Sequence, residues 1–134
     1  MRIAINNCYG GFGLSHKAIK RYAELRGFQL ISVKSPMDKS KTPKILTDEE
    51  AQKAFMVHYY KGSFDSKNGD NNYFSDRGIL RTDAVLLEVI DELGTAANGR
   101  CAKIKIIEIP DDVDWEINEY DGIEHVAEKH RAWY

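Results

Sequence analysis

The chain has 134 residues, 43% of them hydrophobic and 30% charged, the size and balance of one globular domain, which excludes wholesale disorder. Nineteen Lys and Arg residues stand against 21 Asp and Glu, a formal net charge of −2; that near-balance argues against a nucleic-acid polymer as partner and leaves small nucleotides open. No run approaches the roughly 18 apolar residues of a membrane span, the start Met1-Arg2-Ile3-Ala4-Ile5 lacks a signal-peptide core, and Cys8 and Cys101 show no paired spacing, as expected of reduced thiols in a cytoplasmic protein.

Ile3, Ala4 and Ile5 in a row predict a short buried strand from Arg2 to Asn6. Asn7 to Leu14 is a glycine-rich turn. Ser15 is placed to cap a helix from His16 to Arg26, whose apolar positions Ala18, Ile19, Tyr22, Ala23 and Leu25 fall mostly on one face. Gly27 follows as its left-handed terminator. Phe28 to Val33 alternates and reads as a second strand, so the first 33 residues predict a βαβ unit with a right-handed crossover.

Ser35 to Leu46 carries two prolines and three lysines and reads as an exposed connection. Thr47 and Glu50 form a capping-box pattern before a short helix. Phe55 to Tyr60 is ambiguous between helix end and strand. Lys61 to Asn72 reads as a loop with Asn68-Gly69 as its turn. Thr82 or Asp83 caps a helix through Leu93, with Val85, Leu86, Val89, Ile90 and Leu93 as its core stripe and Gly94 as its end. Lys103 to Ile109 alternates strongly and is a strand, stopped by Pro110. Trp115 to Tyr120 fits a following antiparallel strand. Asp121 and Glu124 repeat the capping pattern and predict a last helix from Gly122 to Arg131. Together these elements predict an α/β fold: one domain over residues 1–134, a mixed sheet of about four to six strands, and exposed connections at 35–47 and 61–76.

The turn Asn7-Cys8-Tyr9-Gly10-Gly11-Phe12-Gly13 is the leading candidate for chemistry. Its glycines let backbone approach a ligand closely, and the helix that follows offers N–H groups and partial positive charge to an anion. The spacing matches neither G-x-G-x-x-G nor a Walker loop. Asn6 and Asn7 at the strand end can hydrogen-bond a ribose or a base edge, and they are also ordinary turn formers. Tyr9, Phe12, Tyr59, Tyr60, Tyr73 and Phe74 supply rings for base stacking. Arg77 and Arg81, before the third helix, suit bidentate phosphate binding; His130 and Arg131 end the expected last helix, where the dipole favours positive charge, and are further candidates for ligand contact. Cys8, ahead of a helix start, is a candidate thiol nucleophile, and Asp121 with His125 is a carboxylate–imidazole pair at helical i, i+4 spacing. Metal readings fare worse. His125 and His130 are five apart and share no helix face, and the acidic stretch at 110–114 lacks the spacing of a calcium loop. No metal and no cofactor is expected.

Two resemblances follow from particular residues. Ile3-Ala4-Ile5, Gly11-Phe12 and Leu14, within Met1 to Gly27, resemble the start of B-type ribose-5-phosphate isomerases, with Cys8 and Tyr9 standing where that family has its Asp and His. This resemblance implies a fold unit without the family's catalytic residues. Arg81-Thr82-Asp83, Val89 to Gly94, Ile107 to Val113, Tyr120 to Glu124 and His130 to Trp133 resemble small phage and prophage proteins over residues 79–134. By analogy with phage proteins of similar size, that resemblance implies a sponge for a nucleotide-derived immune signal. The combined expectation is a non-catalytic, cytoplasmic binder of a phosphorylated small molecule in an infected bacterial host, and a homo-oligomer. Its binding residues are Asn6, Asn7, Cys8, Tyr9, Gly10, Gly11, Gly13, Tyr73, Phe74, Arg77, Arg81, His130 and Arg131. The alternatives are an enzyme acting on a sugar phosphate or cyclic nucleotide through Cys8 or the Asp121–His125 pair, and a phage accessory that binds a host protein.

Overall fold

The strand β1 (Arg2–Asn6) is buried from its second residue onward, because its Ile-Ala-Ile run has no polar face to offer water. It pairs antiparallel with β6 (Ile104–Glu108), Ile3 opposite Ile107 and Ala4 opposite Ile106. The computed structural model describes residues 1–34, 43–54, 56–64 and 72–129. Between β1 and β6 lie, in order, α1 (His16–Arg26), β2 (Leu30–Lys34), β3 (Lys44–Leu46), α2 (Asp48–Lys53), β4 (His58–Lys61), β5 (Tyr73–Phe74) and α3 (Ala84–Leu93); β7 (Trp115–Tyr120) and β8 (Ile123–Glu128) follow β6. Helices and strands are thus interspersed in an α/β arrangement.

Local helix signals are met where the sequence puts them. Ser15 Oγ accepts from Ala18 N, and Gly27 closes α1 at φ 86°. Thr47 and Glu50 form both halves of a capping box on α2. Asp83 rather than Thr82 caps α3, accepting from Val85 N and Leu86 N at 2.8 and 3.1 Å. Each such cap is worth about 1 kcal/mol.

The strand pairing departs from expectation. The parallel βαβ unit does not form: β1 pairs with β6, whereas β2 lies in a separate sheet of order β3-β2-β4-β5, and every pair in both is antiparallel. No mixed sheet joins them among the described residues. The reason is that α1 does not lay β2 beside β1. It packs on α3, where Tyr22 Oη donates to Asp83 at 2.9 Å and Arg21 Nε to Glu92 at 3.2 Å, and the free edge of β1 goes to the distant β6. On the other side of β1, Ala4 N donates to Arg81 O at 2.9 Å. The connection expected at 35–47 contains β3, an exposed edge strand on β2, while residues 35–42 lie outside the described set. That expected at 61–76 contains the end of β4 and all of β5; the Asn68-Gly69 turn lies outside the described residues.

The final helix is also corrected. Residues 123–128 form β8, paired with β7 through Tyr120↔Ile123 and Ile117↔Val126. Asp121 and Gly122, at φ 51° and 89°, make the two-residue turn with two left-handed positions that suits a hairpin's twist. Glu124 is therefore a strand residue turned inward, not a helix cap.

One cluster of buried side chains joins α1, α3, β1, β2, β4 and β5, with Leu86 and Val89 at its centre. The β7–β8 hairpin contributes nothing to that cluster. It is held instead by polar contacts to the end of β1 and to Arg81.

Candidate functional site

The glycine turn lies at the carboxyl end of β1 as expected, but chain rather than ligand approaches it. Asn6 is fully buried. Its Nδ2 donates to the carbonyls of Cys8 and Gly122 at 2.6 and 2.7 Å, and its Oδ1 accepts from Lys103 N at 2.8 Å. Its own N–H donates to Glu124 Oε1 at 2.8 Å. An amide so engaged ties three segments together and has no face left for a ribose. The glycines permit a second close approach. Gly10 N donates to Asp121 O, and a Cβ placed on Gly122 would lie 2.6 Å from Gly10 N. The tip of the β7–β8 hairpin therefore sits directly on the turn. Gly13 O accepts from Gly99 N at 2.8 Å, a further contact within the chain.

Arg81 is similarly engaged. Its guanidinium makes two bonds to Glu124, 2.7 Å to Oε1 and 3.0 Å to Oε2, donates to Ala4 O at 3.2 Å, and lies 3.7 Å over the Phe12 ring. The Glu124 side chain is 6% exposed, so this is a nearly dry bidentate pair. Removing one partner of such a pair costs about 3–5 kcal/mol. Arg81 is thus a structural bolt and does not offer its fork to phosphate. The cleft beside it, about 480 Å³, is bordered by Arg77, Arg81, Glu119, Asp121 and Glu124 along with the glycines. Three carboxylates stand against two guanidiniums there, one of them already paired with Glu124, which is poor charge for an anion. Asn7 and Tyr9 are exposed at this turn and Cys8 is half-buried. The Asp121–His125 pair loses its shared helix face, because Asp121 is in the hairpin turn and His125 projects from β8 opposite Asn118. His130 and Arg131 lie outside the described residues.

A larger cleft, about 730 Å³, opens on the other side of the same segment, where Ser15, His16 and Lys17 begin α1. Tyr73 and Phe74 line it, together with Tyr59, Asp76 and Arg100. The structure therefore separates Tyr73 and Phe74 from Arg77, Arg81 and the glycines. Phe74 is buried and packs on Tyr22 and Phe28, whereas Tyr73 is 51% exposed and rests edge-on to Tyr60. Arg100 Nη2 donates to the carbonyls of Lys53 and Ala54 at the rim. Asp76 Oδ2 accepts from Leu14 N at 2.9 Å, fixing the start of α1 against the turn before α3.

Three residues form a chain in this cleft, of which the sequence offered only Tyr59 as a candidate, and that as a stacking ring. His16 Nε2 lies 3.0 Å from Asp48 Oδ1, and His16 Nδ1 lies 2.9 Å from Tyr59 Oη. The hydrogen bond from His16 holds the Asp48 carboxyl below its usual range, with Lys20 nearby adding to the effect. Burial raises the Tyr59 pKa far above its ordinary value, and the charges of Asp76 and Asp48 push in the same direction. Tyr59 is therefore a neutral phenol. No local pattern marks these residues, since a His at the first position of a helix, an Asp at the start of the next and a Tyr in a strand meet only through the fold.

Among the described residues, no group of three or more His, Cys, Asp or Glu side chains is placed to hold a metal ion, and no helix is long and apolar enough to cross a membrane. No protein-family model, curated protein or solved structure matches the chain.

Proposed function

We propose that the protein binds and sequesters a phosphorylated small molecule of the nucleotide-derived class without turning it over, and that the ligand occupies the larger cleft. The observation that carries this reading is the meeting, in about 730 Å³, of an exposed aromatic ring at Tyr73 with Lys17 at the start of α1. That volume suits a nucleotide-sized ligand. Tyr73 offers a face to a base, and Lys17 together with the positive end of α1 favours phosphate. The resemblance of residues 79–134 to phage-encoded proteins supports a counter-defence role, in which tight binding without turnover is the useful property.

The test is a thermal-shift screen against cyclic dinucleotides and trinucleotides, ADP-ribose, and pentose and hexose phosphates, with each ligand recovered and analysed afterwards. A ligand at a hundred times its Kd adds about 2.7 kcal/mol, a rise of on the order of 10 °C in a domain of this size. ADP-ribose or a cyclic nucleotide recovered intact after such a shift supports the proposal. Recovery of an altered ligand overturns the non-catalytic reading, and no shift with any of them overturns small-molecule binding.

A further inference from the structure

Resting on that reading, we propose that Tyr59, oriented by His16 and Asp48, is a specificity-determining group of the larger cleft. It presents only lone pairs to the cleft, so the preferred ligand places an N–H or O–H donor, such as an amino group of a base or a ribose hydroxyl, against the Tyr59 oxygen.

The argument begins at Asp48. Its carboxylate has no proton to give, so the short contact with His16 Nε2 requires a hydrogen on that nitrogen. The opposite tautomer would aim a lone pair at a carboxylate oxygen 3.0 Å away. In a neutral ring protonated at Nε2, Nδ1 carries a lone pair and the Tyr59 hydroxyl donates to it across 2.9 Å, whereas a doubly protonated ring would donate to the Tyr59 oxygen instead. The phenol has one hydrogen, and it is now directed at the imidazole. Among the described residues His16 is the hydroxyl's hydrogen-bond partner, which leaves the oxygen free to accept. A ligand group that only accepts, such as a phosphate oxygen, would meet lone pair against lone pair there. A group that donates completes the chain. Because Tyr59 is 7% exposed, water compensates a mismatch poorly, and hydrogen-bonding sites of this kind discriminate strongly.

The charged and titratable groups around the imidazole agree with this polarity. Asp48 faces it from α2, Tyr59 from β4, and Lys20, 3.7 Å from Asp48 Oδ1, lies on α1 itself. Asp76 acts on Tyr59 from the turn before α3. Phosphate is thereby directed towards Lys17 and the donor-bearing part of the ligand towards Tyr59, which sets one orientation in the cleft.

The experiment uses NMR on the full chain at neutral pH. Long-range proton–nitrogen spectra of the imidazoles report the His16 tautomer, expected to be Nε2–H. Titrations then compare ADP-ribose, rich in donors, with sulfate, a dianion with none, on the wild type and on Tyr59→Phe. Tyr59→Phe is expected to weaken ADP-ribose by about fivefold, the worth of one neutral hydrogen bond, and to leave sulfate affinity unchanged. An Nδ1–H tautomer, a ring protonated on both nitrogens, or equal loss of both ligands in Tyr59→Phe, overturns this inference while leaving the binding function standing. Absence of binding to the wild type by ADP-ribose and by every other ligand of the thermal-shift panel overturns both; where another ligand of that panel binds and ADP-ribose does not, it takes the place of ADP-ribose in the comparison. If Tyr59→Phe does not fold, the wild-type tautomer decides.

Discussion

The two clefts are walled by opposite ends of one short segment. Gly10, Gly11 and Phe12 border the smaller, and Leu14 to Lys17 border the larger. In the smaller cleft the polar groups answer one another: Arg81 holds Glu124, Asn6 holds three backbone segments, and the hairpin tip fills the space the glycines leave. In the larger cleft an exposed ring, a lysine and a proton-directed phenol line open volume. The difference teaches that glycine-rich backbone and arginine identify a place of close approach without saying what approaches. Here the occupant of the glycine turn is the protein's own β7–β8 hairpin, and that hairpin, absent from the apolar cluster, depends on those polar contacts for its position.

The largest test of this contrast is Arg81→Ala. It strands Glu124 in a nearly dry site and is expected to cost about 3–5 kcal/mol, lowering Tm by at least 10 °C. Measured at low temperature on the folded protein, ADP-ribose affinity is expected to stay within about twofold of wild type. An intact fold with lost affinity would move the ligand to the glycine turn and break the comparison.

Lys17→Glu addresses the other side. Loss of a charge-assisted contact is worth about 1.5–3 kcal/mol, so ADP-ribose affinity measured by calorimetry should fall at least tenfold. Tm should change little, because the side chain is exposed. A matched pair of aromatic truncations sharpens the assignment further. Tyr73→Ala is expected to weaken ADP-ribose about tenfold through the lost stack, whereas Tyr9→Ala, at the glycine turn, is expected to leave it unchanged. The reverse result would exchange the roles of the clefts.

The smallest effect concerns pH. The folded-state pKa of Asp48 is lowered by its bond from His16, so its contribution to stability is present above the unfolded carboxylate pKa of about 3.9 and is lost as pH falls through the lower folded value. The carboxylate is 68% exposed, which limits the contribution to about 1 kcal/mol or less. Thermal melts of wild type and Asp48→Asn should therefore differ slightly at pH 7 and converge towards pH 2. A gap that widened on acidification would contradict this sign.

Rules acting within a few residues were enough to read much of the chain. Ser15, Thr47 with Glu50, Asp83, Gly27 and Gly94 mark their helix ends because a cap satisfies backbone groups three or four positions away. Ile104 to Glu108 announces itself by its isoleucines, alternating with lysine at Lys103 and Lys105. The same kind of rule misled at Asp121 and Glu124, where a capping pattern competed with an Asp-Gly turn. The turn prevailed because both of its residues take the left-handed conformation a tight hairpin requires, and because Glu124 in a strand reaches Arg81. Which strand lies beside β1, and whether an arginine meets a ligand or a carboxylate, depends on groups far apart in the chain. Arg81 and Glu124 are 43 positions apart, His16 and Asp48 are 32 apart, and Asn6 and Gly122 are 116 apart. Caps, turns and periodicity are local energies and can be read from the chain in order. Partnership between buried polar groups is decided by which of them the packed core brings within 3 Å, and that is a property of the folded molecule.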